Sequence, residues 1–259
     1  MQEATYRQWD EQVTNWIDEA RKNILAHFHE TLDVEQKSGR RDLVTQVDKQ
    51  NEQRFVAHIR AADPDARILG EEGLGDDVQD DQGRLWILDP LDGTMNFIKQ
   101  RDDFAIMLSL YVDGVGQAAW LYDVMGNRLF HGAKGVGVWL NDKKMSAPKN
   151  LPLSEGLSGL SGPLVSHDVD HMQAIAATSL GMRIVGSAGI AFTKVLRGQQ
   201  VCYISYLRPW DFATGKILAE ELGLVVTTVD GQTPTVLSYG VVLVATKQAQ
   251  KDIVAMQTA

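Results

Sequence analysis

Residues 86–97 read WILDPLDGTMNF. The apolar run LWIL at 85–88 ends in two carboxylates three positions apart, Asp89 and Asp92, with Gly93 and Thr94 directly after them. A hydrophobic strand that ends this way delivers negative charge to a fixed point, and that charge calls for a cation. Pro90 fixes φ and removes a backbone donor, which leaves the following carbonyl, that of Leu91, free to face the same centre. Gly93 permits close backbone approach, and Thr94 suits the cap of a helix begun by MNFIKQ. Backbone N–H groups at such a helix start attract an anion. Aspartates beside an anion-binding helix start outline a phosphate site.

The rest of the chain narrows the chemistry. Its 259 residues, 44% of them hydrophobic, suffice for one large domain or two packed halves. Lys and Arg number 25 against 34 Asp and Glu, a net charge of -9, and no basic tract is present, so nucleic acid is not expected as the main partner. Cys202 is the only cysteine, which excludes an internal disulfide and a thiolate cluster within one chain. The opening MQEATYRQWDEQ carries no signal-peptide-like apolar segment, and no apolar stretch reaches the roughly 18 residues of a membrane span, so a cytoplasmic location and no membrane association are expected. The Pro-, Ser- and Gly-rich segment 143–162 divides the chain into halves, 1–145 and 146–259.

Periodicity gives each half a character. Trp9, Val13, Trp16, Ile17, Ala20, Ile24 and Phe28 recur at three- and four-residue intervals and predict an amphipathic helix over 6–28; a second is expected from about Thr45 to Arg60. RILG, GRLWILDPLDGT, FAIMLSLYVDG, VGQAAWLYDV and GNRLFHGAKGVGVWLNDKK read as strands, so the first half is expected to pack a helix pair on an antiparallel sheet. From residue 157 strand-like and helix-like segments alternate, an α/β arrangement.

Further carboxylates accompany Asp89 and Asp92. Glu71 and Glu72 follow the RILG strand, Asp48 follows DLVTQV, and Asp211 opens the helix-like FATGKILAEEL. A lone Asp ahead of a helix is most often a cap. Glu72, Asp76, Asp77, Asp80 and Asp81 read most simply as a solvated acidic loop. All-oxygen ligation without a His or Cys pattern favours Mg²⁺, with Mn²⁺ also suited. The six histidines form no HExxH spacing, no serine sits in a GxSxG elbow, and the glycines of HGAKGVGVWL lack a P-loop ending.

These segments together resemble the inositol monophosphatase family, within the lithium-sensitive, magnesium-dependent phosphatases. WILDPLDGTMNF (86–97) and WDFATGKILAEELG (210–223) match its two signatures, with KSGRRDLVTQVD (37–48), LGEEG (69–73) and GSAG (186–189) in the expected order. The resemblance implies an α+β fold layered α-β-α-β-α, a homodimer, and two or three Mg²⁺ ions per subunit. It implies that Glu71, Asp89, the carbonyl of Leu91, Asp92 and Asp211 hold metal, with Glu71 also counted among the catalytic residues. Asp48 and Thr94 would orient and deprotonate a metal-activated water, Gly93 and Thr94 would seat the phosphate, and Gly186, Ser187 and Ala188 would line the polyol side of the pocket. Family members that handle inositol phosphate carry a glutamate seven positions before the second-signature aspartate; here that position is Ile204, expected in the substrate wall.

The implied activity is hydrolysis of inositol monophosphate, or a related sugar or polyol phosphate, by direct attack of water, with no covalent intermediate. Ile204, Tyr203, Tyr206 and Arg208 motivate an alternative substrate on the same metal site: 3'-phosphoadenosine 5'-phosphate, fructose 1,6-bisphosphate or NADP. A non-enzymatic regulatory protein on the same fold is the other alternative.

Overall fold

The strand that carries the acidic motif, 84–92, and its antiparallel neighbour, 105–112, are buried on both faces, and their alternating side chains enter different cores. The computed structural model describes residues 1–39 and 42–257; Arg40 and Arg41, inside the 37–48 motif, lie outside the described residues. The chain begins with α1 (Glu3–Ala26), a hairpin of β1 (Val34–Gly39) and β2 (Asp42–Thr45), and α2 (Gln46–Ala62). Among the described residues two large sheets follow. The first has seven strands in sequence order: β3 (Arg67–Gly70), β4 (Arg84–Asp92), β5 (Ala105–Val112), β6 (Val115–Asp123), β7 (Arg128–Ala133), β8 (Gly137–Leu140) and β9 (Lys143–Lys144), with α3 (Thr94–Lys99) after β4. It is antiparallel except where β3 joins β4 in parallel, a departure from the purely antiparallel sheet expected, made possible by the long 71–83 connection.

The second sheet contains β10 (Ser158–Leu160), β11 (Met182–Arg183), β12 (Cys202–Leu207), β13 (Val225–Thr228) and β14 (Gly240–Ala245) in the order β11-β10-β12-β14-β13. Its helices are α4 (Gly162–Ser166), α5 (Met172–Thr178), α6 (Ala188–Leu196), α7 (Pro209–Glu221) and α8 (Lys247–Met256). Parallel pairing of β10 with β11 and β12 is mixed with antiparallel pairing of β14 to β12 and β13.

Side-chain parity builds the layers. On β4, Trp86 and Leu88 pack with Val13, Trp16 and Ile17 of α1 and Phe55 and Ile59 of α2. Leu85 and Ile87, on the opposite face, pack with α6 and α7. The same central core takes Tyr203 and Leu207 from β12, whereas Cys202 and Ile204 face the third core with α4, α5 and α8. The order is therefore helices, seven-stranded sheet, helices, five-stranded sheet, helices, the five-layer arrangement expected.

The central layer is tight. Gly215 of α7 presses on the ring of Phe192 in α6, where a Cβ would stand 2.3 Å from Cδ1. Phe192 has no exposed surface to retreat into. Gly215→Ala gains about 1 kcal/mol of helix propensity but meets overpacking at the upper end of its usual range, about 3 kcal/mol, so a lower melting temperature is expected. An unchanged or higher value in a thermal melt would mean that α6 moves aside freely.

Candidate active site

The ends of separate elements bring the acidic side chains together. Asp89 and Asp92 lie at the C-terminal end of β4, where the ladder to β5 shifts register between them. Asp211 stands in the first turn of α7 and accepts a hydrogen bond from the Arg208 backbone N–H at 2.7 Å. One oxygen from each of Asp89, Asp92 and Asp211 lies within 4.8 Å of the others. Glu71, just past β3, is the largest neighbouring charge acting on Asp89.

This concentration of negative charge is costly. Burial, reinforced by the Glu71 charge, holds the Asp89 and Asp211 carboxyls well above the usual carboxylate range. Asp92 is pushed up to about 6 by burial, although hydrogen bonds from Ser187, Gly189 and Ala188 favour its charged form. Among the described residues no Lys or Arg side chain pairs with Asp89 or Asp92. Three hard-oxygen donors, buried at Asp89 and Asp92 and half-buried at Asp211, fit a divalent metal of the Mg²⁺ class.

Each ligand candidate is itself held in place. Asp92 accepts from the Ser187 hydroxyl and from the backbone N–H groups of Ala188 at 3.0 Å and Gly189 at 2.8 Å, so its carboxylate sits on the N-terminus of α6. Asp89 accepts from the Leu91 N–H at 2.9 Å. Gly93 has φ 89°, and a Cβ there would stand 3.0 Å from the Cβ of Ser187, so a bare backbone is required.

Asp48 and Thr94 meet across 46 residues: the Thr94 hydroxyl lies 2.8 Å from Asp48 Oδ1 and 3.1 Å from the Leu91 carbonyl. The other Asp48 oxygen accepts from the Thr45 backbone N–H at 2.9 Å and from the Thr45 hydroxyl. Asp48 is thus both the capping-box residue of α2 and the partner of Thr94. Burial raises its carboxyl above the ordinary value. Thr94 is not the cap of α3 expected from sequence. Gly93 occupies that position, and the hydroxyl is committed to Asp48.

A cavity of about 300 Å³ opens from Asp92 and Asp211, and Gly186, Ser187 and Ala188 line it together with Arg183, Tyr203 and Ser205. Ile204 does not line it. Its side chain is fully buried in the third core with Leu160, Cys202 and Leu243, because alternation along β12 turns Tyr203 and Ser205 toward the cavity and Ile204 away. The position that carries a glutamate in family members handling inositol phosphate thus falls, in this chain, on the face of β12 turned away from the cavity. Ile204→Glu is accordingly expected to destabilise the fold by more than about 4 kcal/mol, by burying an unpaired charge, rather than to alter substrate preference. A well-folded Ile204→Glu protein with changed selectivity would contradict this placement.

The acidic loop also differs from expectation at two residues. The Glu72 side chain is almost fully buried against Lys37, whose Nζ lies 2.8 Å from Glu72 and 3.0 Å from Glu71. Burial pushes Glu72 up to about 7. Asp76 pairs with Arg60 at 2.5 Å and accepts from the Ile68 N–H. Sequence reading missed Glu52, which is fully buried and accepts from the N–H groups of Glu72 and Leu74, each at 2.8 Å, fixing the backbone beside Glu71. An acidic residue on the apolar stripe that contains Phe55 and Ile59 was the available signal.

Comparison with known proteins places the sequence and the fold in one family. The model of the inositol monophosphatase family matches residues 5–258. Inositol-1-monophosphatase of Bacillus subtilis is 36% identical over 249 residues, covering 94% of each chain. Fructose-1,6-bisphosphatase/inositol-1-monophosphatase of Thermotoga maritima is 29% identical, covering 81% of this chain and 80% of that one. A crystal structure of an IMPase/NADP phosphatase complexed with Mg²⁺ and phosphate superposes with a TM-score of 0.90 at 29% identity, over 98% of this chain and 97% of the other.

Proposed function

This chain belongs to the inositol monophosphatase family and is a phosphatase of that type, dependent on a divalent metal; we propose that it hydrolyses inositol monophosphate or a related polyol phosphate by direct transfer to water. The observation that carries the mechanism is the trio Asp89, Asp92 and Asp211, with oxygens within 4.8 Å, beside the hydrogen-bonded pair Asp48 and Thr94. Glu71, Asp89, the Leu91 carbonyl, Asp92 and Asp211 would hold two or three Mg²⁺ ions, with Mn²⁺ satisfying the same donor preference. When bound, such ions lower the pKa of a water and neutralise charge on the ester oxygens.

The chain's own residues supply the rest. Thr94, anchored on Asp48, positions the attacking water, and Asp48 accepts the proton; its raised pKa makes it a better base than an exposed aspartate. The Gly93 and Thr94 backbone, free of a side chain at Gly93, seats the phosphate. Gly186, Ala188 and the Ser205 hydroxyl face the leaving alcohol from the cavity wall. Inorganic phosphate release from inositol 1-phosphate should require Mg²⁺ and stop with a chelator. No Mg²⁺-dependent release from a panel of phosphomonoesters would overturn the reading.

The same reading includes a homodimer. Leu180, Met182 and Ile184 are 70%, 43% and 55% exposed in sequence around β11, the outer strand of its sheet, and a second copy of the chain would cover them. Light scattering should give twice the chain mass, and Ile184→Asp should lower it. A monomeric parent would refute the dimer and leave the phosphatase intact. A cytoplasmic location completes the proposal; no helix among the described residues is long and apolar enough to cross a membrane.

A further inference from the structure

The cavity wall that faces the leaving alcohol includes a stretch with little support of its own. Residues 184–186 run from β11 to the α6 cap Ser187 without forming strand or helix; Ile184 and Gly186 are exposed and Val185 is half-buried. Beyond them the wall is anchored, because Ser187 and the N–H groups of Ala188 and Gly189 bind Asp92. Among the described residues a single hydrogen bond reaches the backbone of Val185 or Gly186, and it comes from the other half of the chain. Asn96 Nδ2, in α3, donates to the Val185 carbonyl at 2.9 Å.

The same nitrogen donates to the Asp103 carbonyl, also at 2.9 Å. That carbonyl flanks the phosphate seat: it stands 3.2 Å from where a Cβ on Gly93 would lie. Asp103 has φ 54°, a left-handed conformation that its surroundings must hold. The turn after α3 does not depend on the amide, since the Asn96 backbone carbonyl accepts from the N–H groups of Gln100 and Arg101, each at 2.9 Å. The side-chain amide is therefore left to tie two carbonyls together, one beside the phosphate seat and one in the leaving-group wall. It also packs against Gly186, where a Cβ would lie 3.2 Å from Asn96 Oδ1.

We propose that Asn96 is a positioning residue for the leaving group, its amide fixing the wall at Val185 and Gly186 against the Gly93–Thr94 phosphate seat. The inference rests on the phosphatase reading and deepens it: acceptance of a polyol depends on the spacing that one amide sets between the two halves. A wall released from the amide must be ordered by each substrate as it binds, which weakens binding of the alcohol and leaves the phosphate contacts alone.

Asn96→Ala tests this in the full chain, and it is expected to fold, because Asn96 is half-buried and alanine favours the helix. With Mg²⁺, KM for inositol 1-phosphate should rise about tenfold, the order expected for losing two hydrogen bonds, with kcat within about threefold. Inorganic phosphate, which carries no alcohol, should inhibit with a constant within about twofold of the parent value. Asn96→Asp keeps the shape and sets an acceptor against both carbonyls, so KM should rise at least as far. A second readout needs no turnover: amide order parameters of Val185 and Gly186, from ¹⁵N relaxation of the metal-free chain, should fall from about 0.85 to below about 0.6 in Asn96→Ala. An unchanged KM, an equal rise in KM and in the phosphate inhibition constant, or a wall that stays rigid without the amide would overturn the assignment. If the parent cleaves no phosphomonoester, the phosphatase reading fails, and the order parameters still decide whether Asn96 holds the wall.

Discussion

Metal-free protein should lose thermal stability as the pH rises from about 4 to 8, and Mg²⁺ should restore it by an amount that grows with pH. The cause is the cluster of Asp89, Asp92 and Asp211. Burial raises all three carboxyls in the folded state, Asp92 to about 6 and the other two well above their ordinary value. Above about pH 4 the unfolded chain has released protons that the folded chain still holds, so each further unit of pH favours unfolding until the folded groups titrate as well. For Asp92 alone, a rise from 3.8 to about 6 corresponds to about 3 kcal/mol, or roughly 5–10 °C in melting temperature for a chain of this size. Mg²⁺ binds only the folded arrangement and, at a hundred times its dissociation constant, returns about 2.7 kcal/mol.

Asp89→Asn separates charge from shape. The amide oxygen can keep the bond from the Leu91 N–H, while one negative charge leaves the cluster. Metal-free Asp89→Asn should therefore melt above metal-free parent at pH 8, yet show at least about a hundredfold lower turnover with Mg²⁺, about 3 kcal/mol in the barrier. Stability and activity moving in opposite directions is the signature of a site built for a cation. Melting curves that ignore both pH and Mg²⁺ would remove the metal from the centre of the argument.

The parts of this site that were legible in sequence share a physical feature. Asp89 and Asp92 follow a strongly apolar segment, so folding of that segment must carry charge to the edge of a core, and turn chemistry gives no reason for a second carboxylate; Asp211, which alone reads as a helix cap, was marked by the second family signature. The helix pair on a sheet and the alternating second half followed in the same way, from apolar strands and helices apolar along one stripe, whereas the five-layer order was implied by the family resemblance. What sequence did not reveal depends on pairing across distance or on parity. Lys37 finds Glu71 and Glu72 more than thirty residues away, and nothing local to either segment announces it. Glu52 stands out in sequence only as an acidic residue on the apolar stripe of α2, and its partners, the N–H groups of Glu72 and Leu74, lie in a distant loop. Ile204 was assigned by distance from Asp211, whereas the direction of a strand side chain is set by odd or even position, which places Ser205 at the cavity instead.

Thr94→Val should lower turnover by about a hundredfold while leaving Mg²⁺-dependent stabilisation and KM within a few fold of the parent. The hydroxyl of Thr94 lies 2.8 Å from Asp48 Oδ1, and the other Asp48 oxygen is occupied by Thr45. Asp48 thus has one oxygen available for a proton from water, reached through or beside Thr94. Valine keeps the volume and the branched shape and deletes that link together with the weaker contact to the Leu91 carbonyl at 3.1 Å. Asp48→Asn should cost at least as much turnover, but it is a less clean probe. An amide facing Oγ1 and N–H of Thr45 presents a donor to the Thr45 backbone donor, weakening the capping box by about 1 kcal/mol. Comparing the two variants distinguishes positioning from folding. If the pair acts on the water, both lose kcat and only Asp48→Asn melts lower; if Asp48 merely caps α2, Thr94→Val retains full turnover. A KM effect without a kcat effect in Thr94→Val would move Thr94 from the water to the phosphate, where its backbone, and not its hydroxyl, is expected to act.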